Sequence, residues 1–479
     1  AMATALKVKL TGGGEAVFNP DPIGEGGEKA VFLTQDGQHV VCFFLQNLSD
    51  RFERVRRLEK ILGSYNPTSG TKGSYWQGHF CWPTAWVDGD GALPRAFLAR
   101  HRLLDPPLGV VAPVYRKNFF FRDVTGYKRE KNGKWFTSEK PRRMLPPDER
   151  GNFLTYLQVC TKMARAVCRM HYAGLAHSDL SNKNVLIDPR GGDACIIDID
   201  SLVVPGLAPP SVLGTPGYIA PEVLAGKGSP CIETDRHALA VLVYETLLLR
   251  HPLRGPKVYS TVSAEEDEVL SLGAKAMYIE NPKDRSNALR PPPAISVSRL
   301  GPYLEELFRR AFVDGLHAPG LRPLADDWER GLYRTFDLIH PSPGGKEWFV
   351  LAPGMPLSCP FTGKRLTQPV PYAVFHNEVK PGHFVSDRHT LTIYQHLQLM
   401  RWHLIAKTSP RDDPDRTRQG YFAFHNSRWY LVNESGETMQ VVNGPAVPHG
   451  QSVEITAGLA LRLSAKANGR LLAFDFLRP

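Results

Sequence analysis

The feature that most constrains this chain is a change of periodicity part-way along it. From Lys7 to Phe44 short β-branched and aromatic runs alternate with Gly-rich and Asp-Gly turns, which predicts antiparallel strands. The stretches around Trp82 and Val110 continue the strand pattern. A single helix interrupts it at Ser49–Leu62, with Ser49 or Asp50 as N-cap and Phe52, Val55, Leu58 and Leu62 at helical spacing. From about residue 155 to 340 the pattern is mostly helical. Asn152–His171 carries Phe153, Leu157, Cys160, Met163, Ala164, Val167 and Met170 on one face. Thr234–Leu249 is almost wholly apolar after Asp235, which predicts a helix buried all round. Leu300–Phe312 and Leu324–Leu338 read as further helices. A β-rich lobe followed by a helical one leaves a cleft between them, a usual ligand site.

After His340–Gly345 (HPSPGG) strand-like runs return, with one helical stretch at Leu391–Ile405. The expected fold class is α+β. The expected boundaries are 1–114 for the β-rich lobe, 115–340 for the helical lobe, 341–357 for a linker and 358–479 for a small β-rich domain. Residues 124–147 form a polar, basic insertion whose densest part, Tyr127–Arg143, reads as an exposed loop.

The net charge of +10 admits acidic partners, but the basic residues are spread out and no nucleic-acid module is recognisable, so no nucleic acid is expected. Seven cysteines, an odd count without a C-x-x-C, argue against a disulfide framework or zinc knuckle. No apolar run is long enough to span a membrane. The opening AMATALKVKL lacks a signal-peptide core, and Ala1 reads as a tag remnant. The cytoplasm is the expected location.

Three segments carry chemistry. Gly24, Gly26 and Gly27 form a turn that lets backbone amides approach phosphate oxygens, followed by Lys29 and Val31. His177-Ser178-Asp179-Leu180-Ser181-Asn182-Lys183-Asn184 follows the long helix directly and precedes an apolar strand. Asp198, in Ile196-Ile197-Asp198-Ile199-Asp200, is a hard carboxylate at a strand end, as magnesium requires. Asp200 is a second ligand or a turn acid, and the turn acid is the favoured reading.

The second segment resembles the H-R-D-L-x-x-x-N loop of protein kinases. Asp198 then stands at the D-F-G position, and Gly214-Thr215-Pro216-Gly217-Tyr218-Ile219-Ala220-Pro221-Glu222 is similar to the segment ending in A-P-E. Asp235 opens what looks like the kinase anchoring helix. The resemblance, to eukaryotic-like Ser/Thr protein kinases, covers about residues 15–340 and implies a bilobal kinase fold with a hinge at Val110–Val114. It implies ATP and Mg²⁺ as cofactors and a protein substrate. Asp179 would orient the acceptor hydroxyl, Asn184 and Asp198 would hold magnesium, and Val111 and Pro113, with Trp82-Pro83, would flank adenine. Glu222 and Arg322 would form the structural ion pair. HSDLSNKNVLID, IIDIDSLVV and LAVLVYETLLLRHPLRG look like a bacterial branch that accompanies a phosphatase and a von Willebrand-type protein in tellurium-resistance-like clusters.

The chain also departs from that pattern. No lysine stands in Val41-Cys42-Phe43-Phe44, where V-A-I-K is expected. Lys29 occupies the place of the relocated lysine of the with-no-lysine kinases, with Glu59, or Glu53, expected as its helix partner. The missing strand lysine otherwise points to a pseudokinase scaffold. Ser178 replaces the Arg that binds a phosphorylated loop, and Ser201–Leu213 is short, so activity is not expected to wait for loop phosphorylation. Ser181 replaces a Lys typical of Ser/Thr kinases, which leaves a small-molecule kinase as a further alternative opposed by the A-P-E segment. In the tail, His376, His383, His389, His396 and His403 lack ligand spacing, and no metal is assigned to them. Trp429–Phe476 is faintly similar to the second half of a forkhead-associated sandwich. A structural or partner-docking role is expected for that domain.

Overall fold

The computed structural model describes residues 4–89, 93–211, 214–411 and 414–479. Leu213, the expected end of the short segment after Ser201, lies outside them. The chain divides into two compact units. The first comprises Ala1–Gly151, Gln158–Arg290 and Phe308–Glu329, and the second Asn152–Leu157, Pro291–Leu307 and Arg330–Pro479.

The first unit begins with a hairpin of β1 (Leu6–Lys9) and β2 (Glu15–Phe18). Then come β3 (Gly24–Glu25), β4 (Lys29–Leu33), β5 (His39–Phe44), β6 (Ala85–Asp88) and β7 (Leu108–Pro113). These five form one antiparallel sheet in the order β3-β4-β5-β7-β6. Side chains alternate across it. Ala30, Phe32, Val41, Phe43 and Val111 share a core with the β1–β2 hairpin. Phe44, Leu108 and Val110 face the other way and pack with Leu58 of α1 (Arg51–Leu62). Two short helices, α2 (Gly73–His79) and α3 (Arg95–Arg100), fill the connections.

Parity corrects one expectation. Val111 was expected to flank a nucleotide, but its side chain belongs to the face turned toward the hairpin. Val110, paired with Cys42, lies on the Lys29 face, because a shift of one residue along a strand exchanges faces. Trp82 is buried, and its indole donates to Ile61 O at 3.0 Å.

The basic insertion is not an exposed loop throughout. After β8 (Phe120–Arg122) and β9 (Lys128–Glu130), Lys131 is buried with its ammonium 2.6 Å from Glu149 and 2.9 Å from Asp188. A turn at Gly133–Trp135 follows, and Asn132 Nδ2 donates to Lys183 O at 2.7 Å. The basic composition concealed an anchor for the loop carrying Asp179. Helix α4 (Glu139–Met144) leads on to α5 (Phe153–Tyr172), of which residues 158–172 lie in this unit. The hairpin β10 (Val185–Asp188) and β11 (Asp193–Ile196) comes next. Then follow α6 (Pro221–Leu224), α7 (Ile232–Leu248) and α8 (Ala264–Leu272). Leu239–Tyr244 of α7 are fully buried, as its unbroken apolar run requires.

The second unit is a two-sheet sandwich preceded by the hairpin β12 (Ile339–Pro341) and β13 (Trp348–Val350). Residues 341–357, expected as a linker, are therefore folded. Phe349 and Leu351 are fully buried with Cys359, Val370 and Leu477, because the run Trp348–Ala352 is too apolar to stay in water. One sheet contains β14 (Val370–Lys380) and β15 (His383–Thr392), the other β16 (Gln398–Leu399), β17 (Gly420–His425) and β18 (Arg428–Asn433). The strands β19 (Met439–Val441), β20 (Ala446–Val447), β21 (Ser452–Glu454), β22 (Ala460–Arg462) and β23 (Arg470–Leu477) complete them. The orders are β15-β14-β23-β22-β19-β20 and β16-β17-β18-β21. Phe375, Leu391, Phe422, Leu431 and Leu472, drawn from both sheets, share one core. Leu391–Ile405 is not the expected helix: it holds the end of β15, all of β16 and only one helical turn, Arg401–Leu404. Two of the scattered histidines converge here, with His389 Nε2 at 2.5 Å and His403 Nε2 at 2.8 Å from the Asp337 carboxylate.

Candidate functional site

The site is built from the turn before β4, the loop before β10 and the residues after β11. Gly24 and Glu25 pair with Val31 and Ala30, and Gly26 N closes the turn onto Lys29 O at 2.8 Å. This register sets Lys29 opposite Phe44 and Val31 opposite Cys42. Lys29, Val31, Cys42 and Phe44 therefore share one face of the sheet.

Lys29 Nζ lies 2.7 Å from Asp198 Oδ1 and 2.6 Å from Asp200 Oδ1. Burial alone would lower the pKa of this ammonium, but the two carboxylates hold it well above the usual lysine value. Burial opposes ionisation of Asp198 too, and the Lys29 charge holds that carboxyl well below the ordinary range. Burial pushes the Cys42 thiol up to about 11, so it remains a neutral wall. Asp198 itself has φ 63°, a left-handed conformation that costs a non-glycine residue energy and so marks a constrained position. Asp200 was expected to be a turn acid. It does lie in a short turn, Ile199–Ser201, but it is 5% exposed and bound to Lys29.

Glu59 is not beside Lys29. It is exposed on α1, as is Glu53, and the inward face carries Arg54, Arg57, Leu58 and Ile61. Phe52, expected on the apolar stripe, is 70% exposed. The helix has the expected length, and Val55, Leu58 and Leu62 do pack on the core, with Arg54, Arg57 and Ile61 buried beside them. Arg54 lies over the Phe44 ring at 4.7 Å, and Arg57 Nη2 donates to Ala208 O at 3.0 Å.

The loop holding Asp179 is fixed by hydrogen bonds of determined direction. His177 N donates to Asp235 Oδ2 at 2.7 Å, His177 Nε2 to Ile197 O at 2.8 Å, and Asp179 N to His177 Nδ1 at 3.3 Å. A carbonyl can only accept and an amide N–H can only donate, so the imidazole is the neutral Nε2–H tautomer. Asn184 Nδ2 donates to Asp179 O at 2.8 Å and Oδ2 at 3.1 Å. Its nitrogen is thereby committed, and Oδ1 is the donor it can offer a metal. Ile197 N donates to Asn184 O at 3.0 Å, which ties the Asn184 strand to the residue before Asp198. Thr215 Oγ1 donates to Asp179 Oδ1 at 2.7 Å, and Lys183 Nζ stands 3.4 Å from Asp179 Oδ2. Sequence reasoning passed over both contacts, although Thr215 lies in the quoted Gly-Thr-Pro-Gly segment.

The donor set fits magnesium and a polyphosphate. Asp198 and Asn184 offer the hard oxygens magnesium prefers, and Asp200 Oδ2 is buried without a hydrogen-bond partner. Lys29 and the Gly24–Gly27 turn offer cationic and N–H groups suited to phosphate oxygens. Farther out, Arg322 is buried and donates bidentately to Glu222 at 2.8 Å and 2.8 Å. Pro113 ends β7, and its carbonyl accepts from Cys81 Sγ at 3.5 Å.

Comparison with known proteins agrees with this geometry. Residues 138–297 match the protein kinase domain. Serine/threonine-protein kinase PknD of Chlamydia felis is 31% identical over 136 residues, covering 24% of this chain and 14% of that protein. Serine/threonine-protein kinase Pkn1 of Myxococcus xanthus is 30% identical over 154 residues, covering 27% of this chain and 21% of that protein. The chain thus spans less than a quarter of the length of these relatives. Among the described residues no helix is long and apolar enough to cross a membrane.

Proposed function

We propose that this chain, the bearer of a two-lobed protein kinase domain, transfers the γ-phosphate of ATP to Ser or Thr hydroxyls of a protein substrate, itself included. The observation that carries the reading is Lys29 seated on Asp198, with the Asp179–Asn184 loop tied to the same strand end. ATP would supply the phosphoryl group, and Mg²⁺, held by Asp198 and Asn184, would neutralise its charge. The chain's own contribution is positioning and electrostatics. Lys29 and the Gly24–Gly27 amides would hold phosphate oxygens. Val31, Cys42 and Val110, on the Lys29 face of the sheet, would form the apolar wall, with the strand end at Pro113 leading to the hinge. Asp179 is held acceptor-ready by Asn184 and Thr215, and it would orient the attacking hydroxyl and take its proton. The Gly214–Glu222 segment, fixed by Arg322, favours a peptide over a small alcohol. The lysine, displaced by one strand, keeps its charge where a pseudokinase would lose it.

The sandwich of the second unit is read as a partner-docking module of forkhead-associated type. A phosphatase and a von Willebrand-type protein are its proposed companions, in the cytoplasm. The test is incubation of the full chain with magnesium and ATP, followed by mass spectrometry, beside Asp179→Asn and Asp198→Asn. Phosphoserine or phosphothreonine on the parent chain, absent from both variants, is expected. A parent chain that binds no ATP and gains no phosphate would overturn the reading.

A further inference from the structure

We infer that Asp200 is the acid that positions Lys29, in place of any acid on α1. The inference rests on the kinase reading and assigns a role to a residue that reading leaves out.

A lysine that grips phosphate through a flexible four-carbon stem needs a fixed anion behind it, or the ammonium wanders. Asp198 cannot serve alone, because a carboxylate given to magnesium loses most of its hold on a neighbouring cation. Asp200 is suited to the task. Its Oδ1 is 2.6 Å from Lys29 Nζ, its side chain is 6% exposed, and it sits in a turn rather than on a mobile stem. Its second oxygen, Oδ2, is buried without a hydrogen-bond partner, so the contact with Lys29 Nζ is made through Oδ1.

The opposite wall rules out the alternative anchor. Helix α1 turns Arg54 and Arg57 inward, 1% and 2% exposed. Its acids Glu53 and Glu59 face solvent. The Arg57 charge and the Asp200 charge feel one another. The helix therefore presents positive charge where an acid would be needed, and the turn presents the negative charge. The two departures belong together: moving the lysine from β5 to β4 goes with moving its anchor from the helix to the turn after Asp198.

The test is a double-mutant cycle read by calorimetric binding of ADP with magnesium to the full chain, with Lys29→Ala, Asp200→Asn and the pair. Asp200→Asn is expected to weaken binding about tenfold when Lys29 is present and less than about twofold when it is absent, since a positioning residue has nothing left to position. Asp200→Glu, which keeps the charge, is expected to recover part of the loss. Equal penalties in both backgrounds would overturn the inference, and a raised magnesium requirement in both would make Asp200 a metal ligand instead. No loss in either background would return it to a turn acid. The same cycle with Asp200→Ser guards against a misfolded asparagine variant. A parent chain that binds no ADP would overturn the kinase reading as well, whereas binding with additive penalties overturns this inference alone.

Discussion

Two buried cations of the first unit, Arg322 and Lys29, meet carboxylates at nearly the same distances, yet their surroundings differ. Arg322 spends its guanidinium completely: Nε donates to Gly315 O, Nη1 to Glu222 and Glu233 O, and Nη2 to Glu222 and Leu316 O. Lys29 is wedged between two acids, one of which keeps a buried oxygen without a partner. A saturated pair has one arrangement and serves as a clamp. An unsaturated one holds polar capacity in reserve, which suits a site that must exchange partners when a ligand enters.

The sharpest way to break this comparison is to remove each cation in turn. Arg322→Ala strands the Glu222 carboxylate and three backbone carbonyls, and is expected to destabilise the first unit by about 3–5 kcal/mol. Thermal melts should show the same loss with or without magnesium. Lys29→Ala is expected to lower phosphoryl transfer by about 10²–10³-fold, the usual effect of removing one preorganised group. Its melting point should fall in EDTA and recover in magnesium, because a divalent cation held by Asp198 and Asn184 offsets the carboxylate charge that Lys29 no longer meets. If magnesium rescues the Arg322 variant or fails to rescue the Lys29 variant, the distinction between clamp and site collapses.

Glu245 adds a third kind of buried charge. This carboxyl on α7 accepts from the Tyr218 hydroxyl, a neutral partner, and burial pushes its pKa up to about 7. The folded value lies above the unfolded one, so ionisation works against the fold. Stability should fall as pH rises from about 4.5 to about 7 and level off above, by about 3 kcal/mol in all. Glu245→Gln should remove that slope and be the more stable form at pH 8, as pH-dependent melts would show. An unchanged slope would mean that the carboxylate is solvated.

What was legible in the sequence divides along the same line. Glu222, Arg322, Asp235 and the Asp179–Asn184 loop were readable because each lies in a segment that resembles a kinase motif, and the Glu222–Arg322 pair, 100 residues apart in sequence, came from that resemblance and not from spacing. Lys29 was singled out by the resemblance of its Gly-rich turn to that of the with-no-lysine kinases. Its partner was not, because choosing between Glu59 and Asp200 depends on the phase of α1. Two arginines inside a helix are a poor wager on composition alone, since charged residues are rarely so buried. Val111 failed for a related reason: the strand was evident, but alternation assigns faces only once one residue is anchored. The hairpin in 341–357 and the buried Lys131 were hidden by composition, one beneath Pro and Gly, the other beneath surrounding basic residues.

The smallest expected effect concerns Lys183. Ser181, where Ser/Thr kinases carry a lysine, is fully buried, and Lys183, two residues on, brings its ammonium to 3.4 Å from Asp179 Oδ2. The lysine side chain is 43% exposed, and such a pair is screened by water, so it contributes at most about 1 kcal/mol to stability. Lys183→Met should therefore leave the melting point unchanged. Its charge nonetheless stands beside the carboxylate proposed to receive the hydroxyl, where a positive group would help to hold the incoming phosphate. Transfer should fall several-fold, more at low ionic strength than at high, because salt weakens an exposed charge and spares the buried Lys29. Rates of the Lys183 and Lys29 variants across a salt series would show this, and a Lys183 effect independent of salt would place that lysine among the buried charges.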